Sequence, residues 1–268
     1  MGTATPLIWV DAFTDTPYRG NPAAICVLDG PIAEEAMQSL AFELGLAETA
    51  YLVPRGADEY DLRWFTPTVE IPLCGHATLA SAHALFESGH AASPVTFHTL
   101  SGPLVCSQRS DGLIEMDFPA VPPTPIDAPE GLLASLGLDP AEVLAVLDNR
   151  KWFVVEVTSP AVVEGLAPDF AALGAIGEGG ASVTARSDRE GCDIVSRVFG
   201  PGVGVDEDSV TGSVHCALTP YWCEKLGVTE LVAYQASARG GTLHCRLAGG
   251  RVFLAGPAVT VLRGEIDL

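Results

Sequence analysis

The chain has 268 residues, 48% of them hydrophobic and 18% charged, with a formal net charge of -20. That composition supplies ample core for one large domain or two ordinary ones, and the excess of acids (34 against 14 Lys and Arg) argues against nucleic-acid binding and against adhesion to anionic membranes. The opening MGTATPLIWVDAF lacks a basic segment before its apolar run, and the seven cysteines are scattered without a CxxC pair, so a soluble, cytoplasmic protein with reduced thiols is expected.

In chain order, LIWVDAF, AAICVL, TAYLV, DLRWF, VTFHT, LVCSQ and LIEMDF read as short strands from β-branched content or alternation. IAEEAMQSLAFELG interrupts them as an amphipathic helix, with Met37, Leu40, Ala41 and Leu44 on one face and Gly45 as its stop. The proline-rich DFPAVPPTPIDAPEG reads as a linker out of a first domain. EGLLASLGL and DPAEVLAVL are expected to open a second domain as short helices, and RVFLAGPAVTVLRGEIDL to supply the last strands.

Two segments say the same thing twice. DLRWFTPTVEIPLCGHATLASAHALFESG and CDIVSRVFGPGVGVDEDSVTGSVHCALTPYWCEKLG each run from a strand through Phe-x-Pro and a loop into a helix of small residues. Phe65 answers Phe199, and Gly75-His76 answers Gly212-Ser213. Both helices are apolar or small around nearly their whole circumference, so each must be buried on every side. In a chain otherwise made of strands, that predicts a sheet curled around a central helix, once per half. The expected fold is therefore α+β with two similar domains, residues 1–118 completed by 258–268, and residues 119–257. Pro220 removes one hydrogen bond inside the second helix.

A helix N-terminus leaves backbone amides free and carries partial positive charge. Gly75 and Gly212 allow close approach, so each mouth suits a carboxylate or phosphate. Taken singly, Thr211 or Ser213 serves equally well as a plain N-cap.

VDAFTDTPYRGNPAAICVL, LAETAYLVP, LRWFTPTVEIPLCGHATLASAHAL and GVDEDSVTGSVHCALTPYW resemble the PhzF family, the isomerase-like relatives of the phenazine biosynthesis enzyme with the diaminopimelate epimerase fold. The resemblance spans essentially the whole chain. It implies two barrel-like, mostly antiparallel sheets, each wrapped around a helix, with an active site between the domains and a homodimer as the assembly. Matched to the family's motifs, Glu48 is the general acid/base, while His76 and Asp208 position substrate and stabilise developing charge. Asn21, Gly75, His76, Ala77, Gly212 and Ser213 are the expected substrate contacts. The implied reaction moves a proton, and with it a double bond, on a small carboxylate-bearing metabolite, without a cofactor.

Physical chemistry adds expectations of its own. Glu48 lies among Ala47, Ala50 and Leu52, where desolvation raises a carboxyl pKa, although strand alternation equally allows it to face solvent. The helix dipole at His76 disfavours its charged form. Glu207 is expected to be a solvated loop acid, and Asn21 is open to reading as a simple Asn-Pro turn. The second loop has no cysteine before its glycine, which argues against a two-thiol racemase pairing with Cys74. No HExxH-like spacing, GxGxxG after a strand or P-loop appears, so neither metal nor nucleotide is expected. The alternatives are an epimerase or racemase of an amino or hydroxy acid, and a non-catalytic small-molecule-binding member.

Overall fold

The computed structural model describes residues 4–177 and 179–267. The outermost ends of the expected first domain, residues 1–3 and 268, lie outside them. The chain divides into two compact units, Met1–Phe118 with Leu254–Leu268, and Pro119–Phe253. The return to the first unit thus comes at Leu254, a few residues before the expected 258.

The first unit comprises β1 (Ala4–Ala12), β2 (Asn21–Val27), α1 (Glu34–Leu44), β3 (Glu48–Gly56), β4 (Glu59–Phe65), β5 (Glu70–Ile71), α2 (Gly75–Ser88), β6 (Val95–Thr99), β7 (Gly102–Gln108) and β8 (Ile114–Pro119). Its strands pair in the order C-terminal strand (Ala258–Asp267), β1, β2, β3, β4, β6, β7, β8, with β5 beside β4. Two of these pairs, β2 with β3 and β4 with β6, are parallel, because a helix lies between the paired strands. β2 is apolar on both faces for a reason: Ala24 and Cys26 pack with Met37 and Ala41 of α1, while Ala23 and Ile25 are buried on the opposite face. α2 is buried from His76 through Ala82 and again at Ala84 and Leu85, and it packs on β1, β2 and β3. Gly45 and Gly89 end α1 and α2 in the left-handed conformation.

The second unit comprises β9 (Thr124–Pro125), α3 (Leu132–Leu136), β10 (Val143–Asp148), β11 (Trp152–Val157), α4 (Pro160–Glu164), α5 (Phe170–Gly174), β12 (Gly180–Arg186), β13 (Ile194–Gly200), β14 (Val205–Asp208), α6 (Gly212–Leu226), β15 (Glu230–Gln235) and β16 (Gly241–Ala248); β17 (Arg251–Gly256) begins in this unit and ends in the first, and the C-terminal strand is β18. The pairing pattern repeats that of the first unit. β9, β10, β11, β12, β13, β15 and β16 are neighbours in that order, with β14 beside β13 and with β11–β12 and β13–β15 parallel. The outer face of this sheet carries Val155, Ala181, Val183 and Val195 under α3, α4 and α5. The inner face meets α6, which is buried over most of its length.

Two local expectations fail. DPAEVLAVL is not a helix but a single 3-10 turn, Pro140–Glu142, followed by β10. Pairing with β11 and β9 outweighs the weak helical propensity of so short a run. The proline-rich linker also contributes β9, an edge position that Pro125 tolerates. Pro220 leaves the Cys216 carbonyl without its helical donor, and the linker residue Val121 supplies one through its N–H at 3.0 Å.

Candidate active site

Glu48 opens β3, His76 opens α2 and Asn21 opens β2, so three element ends of the first unit converge. Glu48 Oε2 lies 2.8 Å from His76 Nε2, with the two side chains 14% and 5% exposed. Among the described residues neither atom has any other hydrogen-bond partner, so the two polar groups face each other. On the other side of the ring, Nδ1 is 3.0 Å from the Asn21 carboxamide and 3.5 Å from Cys74 Sγ; a protonated Nδ1 donates there, so the carboxamide presents its oxygen to the charged ring. Gly20 makes Asn21's placement possible: with φ at +62°, its Cα sits where a Cβ would come within 2.1 Å of the Ala12 carbonyl oxygen. Asn21 is therefore a buried partner of the histidine, not merely a turn residue. Gly75, His76 and Ala77 form the first turn of α2 behind this cluster.

The expected neutral His76 is not what the surroundings favour. Burial works against its charged form, but Cys74 and Glu48 outweigh burial and hold the imidazole pKa well above its ordinary value. The Cys74 thiol is itself pushed up, first by burial and then by the Glu48 charge, against the pull of His76 and the Ala77 amide. Cys74, Glu48 and His76 therefore share their protons as one buried cluster. A pKa raised on folding stabilises the protein fully below the ordinary imidazole value of 6.5, and that stabilisation is lost as pH rises through the raised value. Urea midpoints measured from roughly pH 6 to 9 are expected to fall for wild type and to fall less for His76→Gln. Parallel curves would show that His76 carries no such charge.

In the second unit, Asp208 ends β14 and Thr211 caps α6. The Thr211 hydroxyl donates to Asp208 Oδ2 at 2.6 Å. Gln235, fully buried on β15, accepts from the Thr211 amide at 2.9 Å and donates to the Asp208 carbonyl at 2.7 Å. Gly212 and Ser213 form the first turn of α6. Glu207 is not a solvated loop acid: Arg197 grips it with two hydrogen bonds of 2.7 and 2.9 Å. Cys216 is buried on the wall of α6, its thiol donating to the Gly212 carbonyl at 3.6 Å. Sequence reasoning did not find Gln235, because an isolated glutamine in a strand carries no local signal.

The repeat supplies no counterpart of Glu48 in the second unit. Phe65 faces Thr49 across β4 and β3, and Phe199 faces Ala181 across β13 and β12. One residue earlier stand Glu48 and Gly180. A Cβ at Gly180 would come within 2.0 Å of the Phe199 carbonyl oxygen, so the second unit has no room for an acid there.

Among the described residues, Glu48, Cys74 and His76 are the group whose ligand atoms approach a metal set, all within 4.8 Å of one another. The sulfur lies 3.5 Å from Nδ1 and the carboxylate 2.8 Å from Nε2, so the three groups form one tight polar cluster around the imidazole. An open groove of about 670 Å³ along α1, lined by Glu34, Glu35, Phe42 and Glu70 among others, includes none of the expected site residues. No helix among the described residues is long and apolar enough to cross a membrane.

The sequence matches the family of phenazine biosynthesis-like proteins, PhzC–PhzF, over residues 10–264. It is 49% identical to an uncharacterised isomerase of Halalkalibacterium halodurans, covering 98% of this chain and 99% of that one. A PhzF-family crystal structure from Enterococcus faecalis matches with a TM-score of 0.92 at 39% identity, over 99% of this chain and 100% of that chain. A hydroxyproline epimerase of Agrobacterium vitis shares the fold alone, with a TM-score of 0.60 at 14% identity over 100% of this chain and 94% of that one.

Proposed function

Because the chain belongs to the phenazine biosynthesis-like (PhzC–PhzF) family of isomerases, we propose that it moves a proton and a double bond on a small carboxylate-bearing metabolite, using side chains and no cofactor. The observation that carries this reading is the contact of Glu48 with His76, at 2.8 Å in a nearly dry setting.

The ionised Glu48 carboxylate takes a proton from one carbon, and the electron pair of that C–H bond becomes the shifted double bond. Glu48, its proton exchanged with solvent, then protonates a second carbon, which binds that proton with the electron pair of the original double bond, so nothing is consumed. His76 beside it, whose pKa Cys74 and Glu48 raise, offsets the charge that develops between the two transfers. The amides of Gly75, His76 and Ala77 bind the substrate carboxylate at the mouth of α2. Asp208, with its carboxylate fixed by Thr211, orients a substrate amine or hydroxyl, a role that rests on the sequence motif.

The test is deuterium incorporation from D₂O into a panel of small cyclic and amino carboxylates, read by mass spectrometry and NMR. Label at a carbon other than the one that loses its proton, with the double bond moved, is the expected result. Label at the same carbon with inversion would make the protein an epimerase instead. Ligand binding with neither exchange nor a moved double bond would identify a non-catalytic binding member.

A further inference from the structure

The inner face of the second unit's sheet is polar where that of the first unit is apolar. Register places Glu156, Thr184 and Ser196 side by side on β11, β12 and β13, with Gln235 next to Ser196 on β15. All four are at most 3% exposed. Counting from Phe65 and Phe199, the first three of these positions are Val27, Leu52 and Leu62 in the first unit, in the same register.

Three of the four polar residues have partners supplied by α6 or its cap. Glu156 accepts from Tyr221 and from Lys225, Thr184 accepts from the Trp222 indole at 3.1 Å, and Gln235 holds Thr211. The Ser196 hydroxyl, between the last two, has no partner among the described residues. Nor has the Ser182 hydroxyl, two residues before Thr184 and on the same face.

The helix above supplies the complement. Thr211 and Trp222 touch the positions on either side of Ser196. His215 stands between them on the same side of α6, four residues after one and seven before the other. It is fully buried, and its Nδ1 lies 2.7 Å from the Thr211 carbonyl oxygen. A carbonyl only accepts, so Nδ1 is the donor, and burial pushes the ring's pKa down to about 4. The neutral ring then offers Nε2 as an acceptor, and that atom too has no partner among the described residues. Register and helical spacing thus bring two hydroxyls and one acceptor to the same side of the seam between sheet and helix.

We propose that Ser182, Ser196 and His215 bind an internal water molecule, which donates to His215 Nε2 and accepts from the serine hydroxyls. The water fixes the imidazole from its second nitrogen. The imidazole holds the Thr211 carbonyl, and the Thr211 hydroxyl holds Asp208, so the water is a positioning element for the first turn of α6. The proposal is independent of the isomerase reading.

The test is a crystal structure of the full-length protein at about 1.5 Å, with hydrogen exchange on wild type and Ser196→Val. A water within about 3.2 Å of Nε2 and of at least one serine oxygen is the expected result. Exchange of the Thr211–His215 amides is expected to be about tenfold faster in the variant, whose valine cannot hold the water. An empty interval, or a direct Ser196–His215 hydrogen bond, would overturn the proposal. If Ser196→Val does not fold, the wild-type structure decides alone. If the variant folds with unchanged exchange, the positioning role is wrong.

Discussion

Glu48→Gln is expected to cut proton exchange on the labelled compound by about 10²–10⁴-fold, the usual contribution of a positioned acid/base group. Gln keeps the shape of the side chain, so substrate affinity is expected to stay within a few-fold of wild type. It cannot accept the proton, and it removes a charge that favours a proton on His76. Because the same change removes a charge that raises the His76 pKa, the urea midpoint is expected to lie below wild type near pH 6 and to vary less with pH. Exchange at wild-type rate in a folded Glu48→Gln protein would move the acid/base role elsewhere. Cys74, 3.5 Å from His76 Nδ1, would be the next residue to test.

Trp222→Ala is the substitution with the largest expected effect on stability. Trp222 is fully buried on α6, meets Tyr221 edge-on at 5.6 Å, and donates to Thr184 at 3.1 Å. Truncation opens a cavity and takes the indole donor away from Thr184, which together cost about 3–5 kcal/mol. For a chain of this size the melting temperature is expected to fall by about 10 °C or more. Trp222→Phe, which keeps most of the volume and loses the hydrogen bond, should fall by a fraction of that. A drop of only a degree or two for the alanine variant would mean that α6 repacks freely, and that the second unit's inner face does not depend on this anchor.

Much of the architecture is legible because it follows from local chemistry. A helix that is apolar all round has to be enclosed, and GHATLASAHALF and GSVHCALTPYW both say so without reference to anything else in the chain. The alternation in DLRWF and the unbroken apolar run of AAICVL fix which strands have one buried face and which have two. Gly45 and Gly89 mark helix ends because the left-handed turn there favours a residue without a side chain. DPAEVLAVL could not be read this way, since a short run has too little intrinsic preference to resist its strand neighbours.

The candidate site divides along the same line. The motifs around Glu48, His76 and Asp208 select those residues by their resemblance to a family, and the helix mouths follow from backbone geometry. The sequence by itself thus determined that two similar sheets would each enclose a helix, and that Gly75-His76 and Gly212-Ser213 would open those helices. Only the tertiary structure decided that Glu48 turns toward His76 rather than to solvent, because that depends on the register of β3 against β2 and β4. Tertiary structure alone also set the influences on the His76 proton: the dipole at the start of α2 opposes it, while Cys74 at 3.5 Å and a carboxylate at 2.8 Å favour it.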